Sequence, residues 1–324
     1  MPVPPFDAEL GVVLEALSSQ GPRESMTPDN LAAWQERDAT SRPRPTAEDL
    51  RGDGRYDVAE LQVPGPPRAP DVTLVSVRPS GAVGPLPLLY YMHGGAMVMG
   101  NAWSVLPRIL REWVLPLELA VISVEYRLAP QAQFPAPLED CHAGLVWAVE
   151  HADELGIDPD RVVIGGKSAG GGLAAALALL VRDRGGPALL GQLLLCPMLD
   201  DRDSTFSSRQ MSGRGPWDLT SNETAWRAAL GDHLYEADDL PPYAAPGRVA
   251  DLSGLPPAYI DVGSAEMFRD EDVAYANAIW QAGGQAELHV WSGGYHGFDG
   301  IAPKAAISRD ARDARTRWLR RLLG

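Results

Sequence analysis

A chain of 324 residues, 45% hydrophobic and 22% charged, has the makeup of a soluble globular protein with one large α/β domain or two average ones. Its 28 Lys and Arg against 43 Asp and Glu give a net charge of −15, which argues against nucleic acid or an anionic membrane as partner and repels a highly anionic substrate at long range. Two cysteines, Cys141 and Cys196, do not suffice for a disulfide framework or a zinc site.

Residues 1–10 lack the basic and apolar regions of a leader, and no run of about 18 apolar residues follows, so a cytoplasmic protein is expected. Helical patterns occupy residues 8–17 and 28–37, and prolines mark loops at 43–45 and 64–70. From residue 56 onward short apolar strands alternate with helical stretches. Strands are expected over 56–63, 72–78, 86–92, 120–125, 161–165, 191–196, 258–262 and 286–291, and helices over 138–151, 172–184, 271–282 and 305–323. That alternation calls for a mostly parallel sheet with helices on both faces. Residues 205–250 interrupt it with their own aromatics, among them Trp217, Trp226, Tyr235 and Tyr243, and are suited to a lid or a packed surface excursion.

The decisive stretch is Gly166-Lys167-Ser168-Ala169-Gly170, set between the apolar run 161–165 and a helical segment. A strand turning sharply into a helix through G-x-S-x-G is a nucleophile elbow, which makes Ser168 the candidate nucleophile. Gly-Lys-Ser also ends the phosphate-binding P-loop, but that motif needs a glycine at 161, where Arg161 stands, and a glycine-rich loop where the chain is β-branched.

A serine nucleophile needs a base, an acid to orient it and donors for the oxyanion, with chain order Ser, acid, His in this type of fold. Of the histidines after Ser168, His233 comes too early and His289 alternates along a strand, whereas His296 lies in a glycine-rich loop after the last strand. The acid belongs in the loop after the preceding strand, which offers Glu266, Asp270, Glu271 and Asp272. Asp270 reads as an N-cap and the two acids after it as a helical first turn, so Glu266 is the choice and Asp270 its rival. Asp261 is set aside as a strand residue. Backbone donors come from Gly94 and Gly95 in Tyr91-Met-His-Gly-Gly-Ala, with Ala169 after the nucleophile, and His93 reads as a brace for that loop. Trp34, Trp103 and Trp217 are candidates for pocket walls or packing. Lys167 beside the serine either biases the local potential or, as long charged side chains usually do, points to solvent or pairs with a nearby acid.

Four stretches in order resemble the hormone-sensitive-lipase-like esterases, the bacterial family IV carboxylesterases: His93-Gly-Gly-Ala; Glu125-Tyr-Arg-Leu-Ala-Pro with Phe134-Pro-Ala-Pro-Leu-Glu-Asp; Gly166-Lys-Ser-Ala-Gly-Gly; and Phe268-Arg-Asp-Glu before Tyr295-His-Gly-Phe. The resemblance covers residues 56–324. It implies the α/β-hydrolase fold, with an eight-stranded sheet and a helical cap built from residues 1–50 and 205–250 around a core of 51–204 and 251–324. It implies a serine carboxylesterase acting on short- to medium-chain acyl esters without a cofactor, and a homodimer formed at the sheet edge. Aligning Arg269-Asp270-Glu271 with the family's acid motif puts Glu266 at the triad's acid, where the family carries Asp. Lys167 and Ala96 are two further departures, standing where the family has Asp and Gly. An amidase, lactonase or thioesterase uses the same triad chemistry, and a non-catalytic binder on the same scaffold would lack nucleophile or base.

Overall fold

The computed structural model describes residues 2–19, 21, 24–41, 44–237 and 239–324, so Pro43 of the first expected loop lies outside the described residues. Eight strands are β1 Tyr56–Val63, β2 Val72–Pro79, β3 Leu86–Met92, β4 Ala120–Glu125, β5 Ile157–Lys167, β6 Gly191–Leu195, β7 Ala258–Gly263 and β8 Ala286–Trp291. They form one sheet in the order β1-β2-β4-β3-β5-β6-β7-β8. The β1–β2 and β2–β4 pairs are antiparallel and every later pair is parallel.

Successive residues of a strand face opposite sides, and the core divides accordingly. On one side Leu88, Tyr90, Ile122, Ile164, Leu194 and Ile260 pack with the helices Ala136–Glu150, Ala169–Arg184 and Arg269–Gln281. On the other, Leu89, Tyr91, Val121, Val163 and Leu193 meet Trp113 and the C-terminal helix Ala306–Leu323. All seven residues of β3 are buried, which suits the near-continuous apolar run of a central parallel strand.

A third cluster gathers Met26, Leu31 and Trp34 from the N-terminal segment with Ala225, Trp226 and Leu230 of the helix Leu219–Leu230. Hydrogen bonds tie the two segments: Met26 N–H donates to Ser221 Oγ at 2.9 Å and Thr224 Oγ1 donates to the Met26 carbonyl at 3.0 Å. Gln35 Nε2 reaches from the helix Leu31–Ser41 to the Val98 carbonyl at 2.9 Å, near the start of the β3–β4 connection.

Four expectations needed correction, the first being the helix expected over 28–37, which spans Leu31–Ser41 because residues 28–30 form a turn in which Asn30 N–H donates to the Thr27 carbonyl at 3.2 Å. β5 begins at Ile157, four residues early, because Ile157 pairs with Leu86 across a register shift despite the turn-forming Asp158-Pro159-Asp160. The helix after the elbow starts at Ala169 rather than Gly172, its first turn being glycine-rich. The helix Arg269–Gln281 is preceded by Phe268, so Asp270 sits inside its first turn and is not the N-cap.

Candidate active site

The elbow is strained as its chemistry requires. Ser168 has φ 58° and ψ −124°, an unfavourable region for any L-residue with a side chain. A Cβ on Gly166 would lie 2.2 Å from the Gly170 carbonyl oxygen, and one on Gly170 would lie 2.2 Å from that of Met92. Both glycines are therefore fixed by backbone packing, which holds the turn in place. The Ser168 N–H donates to the Leu195 carbonyl at 2.8 Å, and its carbonyl accepts from Met198 N–H at 3.1 Å, so the serine is fastened to the end of β6.

Ser168 Oγ lies 3.0 Å from His296 Nε2, and His296 Nδ1 lies 2.9 Å from Glu266 Oε1. The carboxylate keeps the Nδ1 proton, which leaves Nε2 to accept from the serine hydroxyl. Glu266 is 2% exposed, and its second oxygen accepts from Gly263 N–H at 3.0 Å, so the longer side chain is anchored at both oxygens. Burial disfavours the His296 imidazolium, but the adjoining Glu266 carboxylate opposes it and holds the imidazole pKa above its ordinary value. Burial also raises the Cys196 thiol, which stays uncharged at neutral pH and leaves Glu266 as the charge that counts. Cys196, Glu266 and His296 each place one donor atom within 4.8 Å of the others. A soft cation held there would compete with the contacts His296 already makes to Ser168 and Glu266.

Asp270 is not part of this cluster. Its carboxylate accepts from Ser207 N–H at 2.7 Å and from Arg269 Nε at 2.7 Å. Glu271 is not a solvated first-turn acid either: it is buried and accepts from Leu199 N–H at 2.8 Å. Asp272 is fully buried, and burial holds its carboxyl well above the usual range. His233 lies in an exposed position of the insertion, and His289 pairs with Glu287 at 3.0 Å and stacks on Trp291.

Gly94 lies against the elbow: a Cβ there would be 2.7 Å from the Lys167 carbonyl oxygen and 3.5 Å from Ser168 Cβ. Gly95 has φ 128°, and a Cβ would collide with the Met99 carbonyl at 2.1 Å. The N–H groups of Gly94, Gly95 and Ala169 donate to no backbone carbonyl among the described residues, as suits groups reserved for a ligand oxygen. Ala96 and Met97 continue the loop at φ 58° and 60°, so the alanine that replaces a third glycine keeps the geometry at the cost of a left-handed residue with a Cβ. His93 braces the loop: its Nδ1 lies 2.9 Å from the Gly94 carbonyl, its ring stacks on Tyr126, and Tyr126 Oη donates to the His93 carbonyl at 2.6 Å.

Ser168 and His296 open into a cavity of about 850 Å³ whose walls include Trp34, Trp217, Arg37, Arg108 and Lys167. Trp103 packs in the core instead, under the Arg44 guanidinium. Beneath the elbow lies an ion network. Lys167 Nζ is 2.8 Å from Asp299 Oδ1, Arg108 Nη2 is 2.6 Å from Asp299 Oδ2, and Arg315 bridges Asp299 and Asp261. The lysine thus pairs with a nearby acid. Burial opposes the Asp299 charge, but Arg315, Lys167 and Arg108 hold its carboxyl well below the usual range. Lys167, whose charge stands out beside the serine, was the one sequence signal for this network.

A family model described as the α/β hydrolase fold matches residues 89–300. The chain belongs to this family, in its hormone-sensitive-lipase-like branch. This α/β hydrolase is 38% identical over 247 residues to the carboxylic ester hydrolase LipN of Mycobacterium tuberculosis (strain ATCC 25618 / H37Rv), a match covering 75% of the chain and 64% of that protein. It is 32% identical to esterase LipI of the same strain, over 75% of the chain and 81% of the relative. Among solved structures, a bacterial heroin esterase superposes with a TM-score of 0.88 at 36% identity, covering 98% of each chain. Esterase LipW from Mycobacterium marinum superposes at 0.86 with 30% identity, over 99% of this chain and 98% of that one. No helix among the described residues is long and apolar enough to cross a membrane.

Proposed function

We propose that this hydrolase cleaves short- to medium-chain acyl esters through an acyl-enzyme formed on Ser168. That it is a carboxylic ester hydrolase follows from its family and its relatives. The observation that supports the named residues is the unbroken line from Ser168 Oγ through His296 to Glu266, at 3.0 and 2.9 Å. In this reading His296 takes the serine proton as Oγ attacks the carbonyl, Glu266 orients and stabilises the imidazolium, and the N–H groups of Gly94, Gly95 and Ala169 hold the oxyanion. His296 then protonates the leaving alcohol, and water attacks the acyl-enzyme by the same route.

Residues 1–50 and 205–250 serve as the cap in this proposal, supported by the hydrogen bonds that join Met26 to Ser221 and Thr224. A cytoplasmic location and pairing of two copies at the free edge of β8 belong to the same proposal. A fluorophosphonate probe followed by a panel of 4-nitrophenyl esters of increasing acyl length tests it. Labelling at Ser168 with a preference for short and medium chains is expected, and the absence of labelling would refute the serine mechanism.

The base must be neutral to act, so with its pKa raised the kcat/KM of the wild type climbs with pH beyond the ordinary histidine range of about 6.5. Glu266→Gln removes the charge that raises it. The rise should move to lower pH while the plateau drops roughly 10⁴-fold from the misoriented ring. A rise at unchanged pH in the variant would mean that another group sets the base.

A further inference from the structure

The wall of the catalytic cavity next to the elbow is cationic, although the protein as a whole carries a charge of −15. Arg37, Arg108 and Lys167 line the cavity against one carboxylate, that of Asp38. The ion network behind this wall contains four cations, Lys167, Arg108, Arg312 and Arg315, against three carboxylates, Asp299, Glu112 and Asp261. Its exposure is one-sided. The Lys167 and Arg108 side chains are 24% and 27% exposed, whereas the Asp299 carboxylate that joins them is 1% exposed and lies behind.

Two missing side chains keep the front of these cations open. A Cβ on Gly300 would stand 3.6 Å from Lys167 Nζ and 3.9 Å from Arg108 Nη1, and one on Gly297 would also stand 3.6 Å from Nζ. A single point in the cavity is therefore within reach of both charges, beside the residue that follows His296. Lys167 gives Asp299 one N–H and has two others. Arg108 uses Nε on Glu112 and Nη2 on Asp299, which leaves Nη1 toward Gly300.

We propose that Lys167 Nζ and Arg108 Nη1, over the bare backbone of Gly297 and Gly300, form an anion subsite that selects esters carrying a carboxylate a few bonds from the scissile carbonyl. This rests on the esterase reading and refines its substrate class. The −15 net charge acts at long range, where salt screens it over about 8 Å, and slows encounter; the two cations act in the bound state. Pairing of the carboxylate with a guanidinium and an ammonium inside a partly enclosed cavity gives charge-assisted hydrogen bonds that a neutral group cannot replace.

The test uses two matched pairs. Monoethyl glutarate carries its carboxylate on the acyl side and 3-acetoxypropanoate on the alcohol side, each compared with its primary amide. Wild type should prefer the carboxylate in at least one pair by tenfold or more in kcat/KM, less so in 0.5 M NaCl. Arg108→Gln and Gly300→Ala should each abolish most of that preference, the second by placing a methyl where the carboxylate would sit, without removing any charge. Using the ratio within a pair cancels a general loss of activity, and Gly300→Ala decides the matter if Arg108→Gln does not fold. Ratios near one in wild type for both pairs, or ratios unchanged in Gly300→Ala, would overturn the subsite. Hydrolysis of the neutral amides of these esters would continue in that case, whereas their complete inertness would count against the esterase reading itself.

Discussion

Ser168→Ala should reduce kcat for every accepted ester by about 10⁶-fold and abolish fluorophosphonate labelling, while leaving the fold intact. The loss is that large because nucleophile, base and acid act as one unit: without Oγ, the imidazole at 3.0 Å has no proton to take. The N–H groups at Gly94, Gly95 and Ala169 remain, so a residual rate of roughly 10³-fold over water is expected from binding and oxyanion stabilisation. The substitution is mild for folding, since alanine meets the same positive φ as serine and the residue, only 9% exposed, loses a single hydroxyl. Circular dichroism and urea unfolding would verify the fold, and progress curves at high enzyme concentration would measure the residue. Retention of more than about 1% of kcat would be incompatible with a Ser168 acyl-enzyme.

Arg315→Ala should destabilise the protein by about 3–5 kcal/mol, because it strips the shared cation from two carboxylates buried behind the site. Arg315, Asp261 and Asp299 are each no more than 2% exposed, so water cannot replace the lost partner. Urea denaturation at neutral pH reads the size directly, and a change below 1 kcal/mol would show that the network is structurally idle. Acid gives a second readout. The Asp299 carboxyl is depressed in the folded state, so its stabilisation is complete above its unfolded value of about 3.9 and is lost as pH falls through the lower folded value. Wild type should therefore resist acid to below pH 4, and the variant, with less to depress the carboxyl, should unfold at higher pH.

Much of this was legible in the chain because local pattern and tertiary demand agree. β3 reads as an apolar run and is a buried central strand; Glu266 was singled out because its acidic neighbours had helical explanations. In the fold Asp270 is not the cap and Glu271 is a buried acceptor for Leu199, while Glu266 is the carboxylate that reaches His296 Nδ1. The start of the elbow helix was misread for a physical reason. Gly170, Gly171 and Gly172 are poor helix formers, but a Cβ on Gly170 or Gly172 would come within 2.2 Å of the Met92 or Met198 carbonyl oxygen, so close packing overrules propensity. Apart from Lys167, the members of the ion network gave no sign in the sequence, because only the fold brings them together: Asp261 and Arg315 are 54 positions apart, Lys167 and Asp299 are 132.

The contact between the chain's beginning and its end has a bearing on when activity can arise. Asp7 N–H donates to the Gly293 carbonyl at 3.0 Å, and Ala306 N–H to Glu9 at 2.8 Å, so the loop carrying His296 rests on the first helix. The elbow can be assembled from residues up to the end of β6, which fasten Ser168 in place. The base and its support come about a hundred residues later, and closing so long a loop adds little entropic cost per residue once the sheet is formed. A chain folded only through the elbow and β6 would therefore hold Ser168 in its strained turn without the imidazole that lies 3.0 Å from it in the complete fold.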